Sequence, residues 1–339
     1  MNITLLGAGS WAIALAVLLD KRDHRLSLWE FNEKDARMLL EKREHIIKLP
    51  GITIPERIAI TNDITAAFAE TEYILVAVPA QTVRATVQLI RQTISPEVLA
   101  SIKGWIVVSK GIECTTLKLL SDVIIDEIPS ATYNNIIILS GPSHAEEVSR
   151  NIPTTVVAAS KNNALAVTIQ REFSTETFRI YTNNDVTGVE LCASVKNVIA
   201  VAAGISDGLG FGDNTKGALL TRGMVEMARL GNKLGADERT FSGLAGFGDL
   251  VTTCISRHSR NRKVGELIAS GLNLEAALNK MTMVAEGVET TKSVHQLALH
   301  HGIEMPITAA VYETLFEGKS PLDAVRGLMM RQFKPERVS

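Results

Sequence analysis

Two features of the chain predict an α/β domain on a mostly parallel sheet, followed by an all-α domain. Short β-rich runs alternate with helical patterns as far as about residue 185, and beyond it almost every segment has helical period. The length of 339 residues is also more than one ordinary core spans, and it divides into 1–185 and 186–339. Asn2–Leu6, Arg25–Trp29, Tyr73–Val78, Trp105–Ser109 and Ile136–Ser140 read as strands because each is an apolar run bounded by turn residues. Thr154–Ala159 and Phe178–Tyr181 add late strands. Helices are expected between them at Trp11–Lys21, Glu33–Lys42, Thr82–Thr93 and Thr116–Glu127. The second part has helical period at Thr221–Leu234, Lys263–Ser270, Leu274–Lys280, Thr290–His300 and Pro306–Glu317.

Composition narrows the function. A hydrophobic fraction of 46% with 21% charged residues is that of a globular protein. A net charge of −2, with no basic tract, offers nucleic acid no overall field. A small anionic substrate would have to be held by a few local Lys and Arg residues. Cys114, Cys192 and Cys254 lie far apart, without zinc or disulfide spacing, and read as small buried thiols of a cytosolic protein. The N-terminus enters a strand pattern at once, which argues against a signal peptide. The apolar stretches read as too short to span a membrane. The seven histidines show no metal-ligand spacing, and neither H-E-x-x-H nor a serine-nucleophile elbow is present.

The strand Ile3–Leu6 runs into Gly7-Ala8-Gly9-Ser10-Trp11-Ala12, a dinucleotide-binding fingerprint with Ala in its third position. Gly7 permits the tight turn, and Gly9 leaves room for a pyrophosphate at the positive end of the next helix. The second strand ends at Glu30-Phe31, and Glu30 lies 18 residues beyond Ala12, where a carboxylate can grip ribose hydroxyls and repel the extra phosphate of NADP. Phe31 supplies no cation, leaving Lys34 and Arg37 as the nearby alternatives, so NAD is favoured and NADP remains open. Read blandly, Glu30 is a solvated strand-end charge. Two more strand ends carry Ser109-Lys110-Gly111 and Ser140-Gly141-Pro142-Ser143-His144-Ala145. Lys110 is placed to meet a phosphate or carbonyl oxygen, and Pro142 and Ser143 read as the opening of a helix. Either turn alone could be a plain connection.

Lys196 has Cys192, Ala193, Ile199 and Ala200 three and four positions away, so its helical face is small and apolar. Desolvation there lowers a lysine's pKa, as a general acid/base requires, unless the side chain snorkels to water. Further on, Gly246-Phe247-Gly248-Asp249 precedes His258-Ser259-Arg260-Asn261-Arg262-Lys263. The cations resemble a phosphate clamp, or else a solvated helix start, and Asp249 could hold a lysine ammonium.

Together these motifs resemble the NAD(P)-dependent glycerol-3-phosphate dehydrogenase family. The matching strings are G-A-G-S-W, L-W-E, V-S-K-G-I-E, L-S-G-P-S-H-A-E-E-V, E-L-C-A-S-V-K-N-V-I-A-V-A-A-G-I, G-L-A-G-F-G-D-L-V-T-T-C, S-R-N-R and V-A-E-G-V-E-T, in the family's order. The resemblance implies a Rossmann-type domain followed by a helical one, with the active site in the cleft. It implies a cytoplasmic role in supplying sn-glycerol 3-phosphate for phospholipid synthesis. Under it Lys196 matches the proton donor and acceptor, while Asn197, Thr253, Arg260 and Asn261 match residues around the substrate. Lys110, Gly141, Ser143, Asp249 and Ser259 match further substrate positions. Ser10, Trp11, Phe31, Lys110, Ala145, Arg260, Val284 and Glu286 match cofactor contacts. Phe31 replaces a common basic residue, and Ala12 and Ile13 stand where bacterial members often have glycine and a small residue. A homodimer is compatible with the sequence.

Two rivals share part of this pattern. A related dehydrogenase of a 3-hydroxy acid or sugar-acid phosphate predicts the same first half but not S-R-N-R beside G-F-G-D-L. A catalytically silent dinucleotide sensor has no need of Lys196.

Overall fold

The computed structural model describes residues 1–333 and 335–336. The first half contains β1 (Asn2–Leu6), β2 (Arg25–Trp29), β3 (Ala59–Thr61), β4 (Tyr73–Val76), β5 (Gly104–Val107), β6 (Ile136–Ser140), β7 (Thr154–Ala159) and β8 (Phe178–Asn183). Its helices are α1 (Ser10–Asp20), α2 (Glu33–Lys42), α3 (Ile64–Ala67), α4 (Val83–Thr93), α5 (Pro96–Ser101), α6 (Leu120–Glu127), α7 (Ala145–Val148) and α8 (Asn163–Phe173). The strands form one sheet in the order β3-β2-β1-β4-β5-β6-β7-β8, parallel throughout except between β6 and β7. Strand order reverses direction at β1, between β2 and β4, which opens the crevice where such sheets take ligands.

From Val186 the chain is helical: α9 (Val186–Gly208), α10 (Asp213–Lys233), α11 (Glu238–Phe241), α12 (Asp249–Ile255), α13 (Arg260–Ala269), α14 (Leu274–Asn279), α15 (Glu286–His301), α16 (Pro306–Phe316) and α17 (Pro321–Met329). The apolar core runs without a break from the sheet face carrying Trp105 and Ile138 into α9, α13 and α15. The helix α9 is the hub. Gly204 and Gly265 let α9 and α13 cross at backbone contact: a Cβ on Gly204 would sit 1.9 Å from the Arg262 carbonyl oxygen. That crossing brings the start of α13 beside the middle of α9.

The predicted fold class is what forms, with shifts at particular ends. Residues 116–119 are not helical: Leu117 takes φ +60° and Ile112 bridges Leu119, so α6 begins only at Leu120. Pro142 and Ser143 precede α7 rather than opening it. The strand β3 escapes the sequence reading because three residues are too few for an alternating pattern. The reading of the apolar stretches is also corrected. At 23 residues α9 is long and apolar enough to cross a membrane, but 94% of its most apolar window is buried in protein. Cys192 and Cys254 are buried, as expected, and Cys114 only partly; all three are free thiols.

Candidate active site

The glycine-rich turn follows β1 and leads straight into α1. Gly7 takes φ +94°, a left-handed conformation that disfavours other residues. Gly9 is extended at φ −72°, and a Cβ built on it would meet nothing within 4 Å, so open space faces the amides at the start of α1. Ser10 opens that helix, and the indole Nε1 of Trp11 is buried without a hydrogen-bond partner. Glu30, at the end of β2, is buried and reaches back to the same turn. It accepts from Ala8 N at 3.1 Å and from Asn32 N at 3.0 Å. It is therefore no solvated strand-end charge. Phe31 lies beside it, 76% exposed and edge-on to Trp29.

Apart from Lys110, the remaining residues expected at the dinucleotide come from the other half and the β6 loop. Glu286, at the first position of α15, accepts from Ala80 N at 3.1 Å, which ties the β4 loop to the helical part. Burial pushes its carboxyl up to about 7. Arg260 opens α13 and donates from Nη1 to the Val284 carbonyl at 3.1 Å; desolvation draws its guanidinium below the usual range. Val284 is largely exposed, and Ala145 is buried at the start of α7.

Between these groups runs a chain of polar contacts through the core. Lys110, after β5, donates to Asp249 Oδ2 at 2.8 Å and also approaches the Gly141 carbonyl at 3.4 Å. Lys196, on α9, is 3% exposed; its Nζ donates to Thr253 Oγ1 at 2.8 Å and to Asn197 Oδ1 at 3.0 Å. Its distance to Asp249 Oδ1 is 3.4 Å, and Thr253 Oγ1 donates to that same oxygen at 3.1 Å. The chain continues from Asn261 Nδ2 to Asn197 Oδ1 at 2.9 Å, and from Gly287 N to Asn261 Oδ1 at 2.8 Å. Burial lowers Lys196 to about 8, against the pull of Asp249. Burial also opposes ionisation of Asp249, but the ammoniums of Lys110 and Lys196 outweigh it and hold the carboxyl below the usual range. A buried lysine that titrates near neutrality can give and take a proton at working pH. It does not snorkel.

The fold brings the two sheet-edge turns together. Gly141 and Ser143 bond to each other, Ser143 Oγ donating to the Gly141 carbonyl at 2.9 Å, next to Lys110. Ser259 caps α13 by accepting from Arg262 N. The cation cluster after it is not all clamp: Arg262 pairs with Asp207 at 2.7 Å and Lys263 with Glu266 at 3.3 Å. Two positioning residues carry no sequence signal. Ser194 Oγ donates to the Gly111 carbonyl at 3.1 Å and Ser293 Oγ to that of Ile112 at 2.9 Å, fastening the Lys110 loop to α9 and α15. A short π-helical turn, Leu244–Gly248, leads into Asp249 and was also not foreseen; such turns recur at functional sites.

The chain matches the model of the NAD-dependent glycerol-3-phosphate dehydrogenase N-terminus over residues 2–166 and that of the C-terminus over 185–326. It belongs to this family. The glycerol-3-phosphate dehydrogenase [NAD(P)+] of Chlorobium phaeobacteroides strain BS1 is 49% identical over 337 residues, 99% of each chain. That of Thermoanaerobacter sp. strain X514 is 48% identical over 338 residues, again 99% of each. The crystal structure of glycerol-3-phosphate dehydrogenase from Coxiella burnetii is 36% identical, covers 97% of this chain and 99% of its own, and superposes with a TM-score of 0.92. The chain is thus an NAD(P)-dependent glycerol-3-phosphate dehydrogenase, an oxidoreductase that interconverts sn-glycerol 3-phosphate and dihydroxyacetone phosphate.

Proposed function

We propose that this dehydrogenase works in the cytoplasm, prefers NAD to NADP, and supplies sn-glycerol 3-phosphate for glycerophospholipid synthesis, with its site divided between residues 1–185 and 186–339. The observation that carries the residue assignment is the buried contact chain from Lys110 through Asp249, Thr253 and Lys196 to Asn197 and Asn261. It joins one sheet loop to three helices and ends beside Arg260.

The open space at Gly9, the free amides of α1 and the unpartnered Trp11 Nε1 fit a dinucleotide. Gly7, Gly9, Ser10 and Trp11 would hold its pyrophosphate side, Glu30 and Phe31 its ribose, and Lys110, Ala145, Arg260, Val284 and Glu286 the rest. When bound, it supplies the hydride to the ketone carbon, or takes it back. Lys196, as ammonium, donates its proton to the carbonyl oxygen in reduction; as amine, it removes the proton from the alcohol in oxidation. Asp249 keeps Lys110 and Lys196 side by side, and Lys110 adds positive charge where the oxyanion grows. Gly141, Ser143, Asn197, Thr253, Ser259, Arg260 and Asn261 surround the substrate, Arg260 making charge-assisted bonds to the phosphate.

Preference for NAD is supported by Glu30, whose carboxylate is held in place by two backbone amides and would repel a 2′-phosphate. Arg37 pairs with Glu33 at 3.0 Å on the exposed face of α2, and the exposed Phe31 supplies no cation beside Glu30. Oxidation of NADH and of NADPH by dihydroxyacetone phosphate, set against hydroxy-acid substrates and a blank, tests the reading. NADH is expected to give the higher kcat/KM; a tenfold advantage for NADPH refutes the role of Glu30. In Lys196→Ala, kcat should fall by about 10²–10⁴ with NADH affinity unchanged, and arginine should not rescue it.

A further inference from the structure

The loop after β6 carries a histidine that the contact chain leaves unused. His144 immediately precedes α7, and its Nε2 is buried with no hydrogen-bond partner. A buried ring nitrogen left unpaired costs free energy, and in native proteins that cost usually marks a ligand or a function. The charged groups that act on the ring are the ammoniums of Lys196 and Lys110 and the carboxylates of Asp249 and Glu146. Its other neighbour is the His258 ring, 5.9 Å away between centroids and tilted by 51°. His258 directly precedes Ser259 and Arg260. The imidazole therefore stands between the lysine end of the site and the start of α13. Burial, reinforced by the two ammoniums, keeps it below the ordinary imidazole range and hence neutral in the free enzyme. A neutral ring has one N–H to give, and Lys196 already serves the reacting oxygen. The acceptor that best repays an unpaired donor here is an anionic oxygen.

We propose that His144 is a substrate-binding residue that donates from Nε2 to the phosphate of dihydroxyacetone phosphate or sn-glycerol 3-phosphate, so that this nitrogen is satisfied only in the complex. The proposal rests on the substrate reading above and adds to it a contact outside the lysine chain. His144→Phe keeps a ring and removes the donor, whereas His144→Gln restores an N–H near the position of Nε2. The Phe variant should raise KM for dihydroxyacetone phosphate by roughly 10- to 100-fold, the scale of a lost hydrogen bond to a charged group, with KM for NADH and kcat within about threefold. The Gln variant should recover most of the loss. With dihydroxyacetone, which lacks the phosphate, wild type and His144→Phe should have equal kcat/KM. In the wild-type enzyme, sn-glycerol 3-phosphate should move the titration of the His144 ring proton resonance to higher pH, because a phosphate dianion stabilises imidazolium.

Equal losses with both ketones, a raised KM for NADH, or an unchanged KM for dihydroxyacetone phosphate overturns the proposal while leaving the enzyme's reaction intact. If His144→Phe does not fold, the resonance decides: a titration indifferent to sn-glycerol 3-phosphate overturns it. A wild-type enzyme that does not reduce dihydroxyacetone phosphate at all refutes the substrate reading itself, and this contact with it.

Discussion

Asp249→Asn removes one charge and keeps the size of the side chain. Lys196 Nζ lies 3.4 Å from Asp249 Oδ1, and the ammonium titrates at about 8 with that carboxylate in place. Two unit charges at this distance attract by about 1 kcal/mol in water and by about 5 kcal/mol at an effective dielectric of 20. At 1.36 kcal/mol per pH unit, losing the attraction lowers the Lys196 pKa by roughly one to four units. The sign follows from the group: an ammonium deprived of its counter-charge gives up its proton more readily. Reduction of dihydroxyacetone phosphate needs the protonated form, so in the wild type its kcat/KM should fall as pH rises through about 8. In Asp249→Asn that limb should appear at least one unit lower, while the oxidative limb, which needs the amine, moves the same way. The assay is the pH profile of NADH oxidation with saturating cofactor, alongside a melting curve to show that the variant folds. A folded variant whose limb stays near 8 or moves upward would refute the electrostatic coupling and leave Asp249 as a spacer for Lys110.

Gly9→Val should abolish NADH fluorescence enhancement with little change in Tm, since the residue already has β-region angles and a Cβ there meets nothing of the protein; unchanged NADH affinity would remove the pyrophosphate from this turn. Arg260→Ala should raise KM for dihydroxyacetone phosphate by about 10- to 150-fold, equivalent to about 1.5–3 kcal/mol, with a much smaller effect on kcat; a KM that stays put would place the phosphate elsewhere. Glu190, on α9, caps α6 by accepting from Ser121 N at 3.0 Å and from Ser121 Oγ at 2.5 Å, and burial raises its carboxyl from 4.5 to about 7. The fold therefore prefers the neutral acid, so stability should be greatest below the unfolded value and fall as pH climbs through 7, by up to about 3 kcal/mol from this group. In Glu190→Gln that part of the pH dependence of Tm between 5 and 8 should vanish; an unaltered slope would mean that the carboxyl is ionised in the folded protein throughout.

Periodicity and punctuation in the sequence determined the alternating first half, the helical second half, and the bounds of β1, β2, β6, β7 and α2 to the residue, because each is a local pattern closed by a turn or cap. The glycine turn before α1 was legible for the same reason: Gly7 and Gly9 act through their own backbones. The apolar face around Lys196 was legible too, since residues three and four apart share a helix surface. What Lys196 meets on that face was decided by tertiary structure alone. Its partners Asp249 and Thr253 stand on α12, and they arrive because the π-helical turn Leu244–Gly248 feeds α12 onto α9. The same packing sent Arg262 to Asp207 and set Arg260 against the Val284 carbonyl, while the pairing of β1 with β2 brought Ala8 N to Glu30. Packing also stranded His144 Nε2 without a hydrogen-bond partner. Local patterns set which segments form and which faces are apolar. Charge pairing and desolvation depend on distances between segments far apart in the chain, and only the packed core sets those.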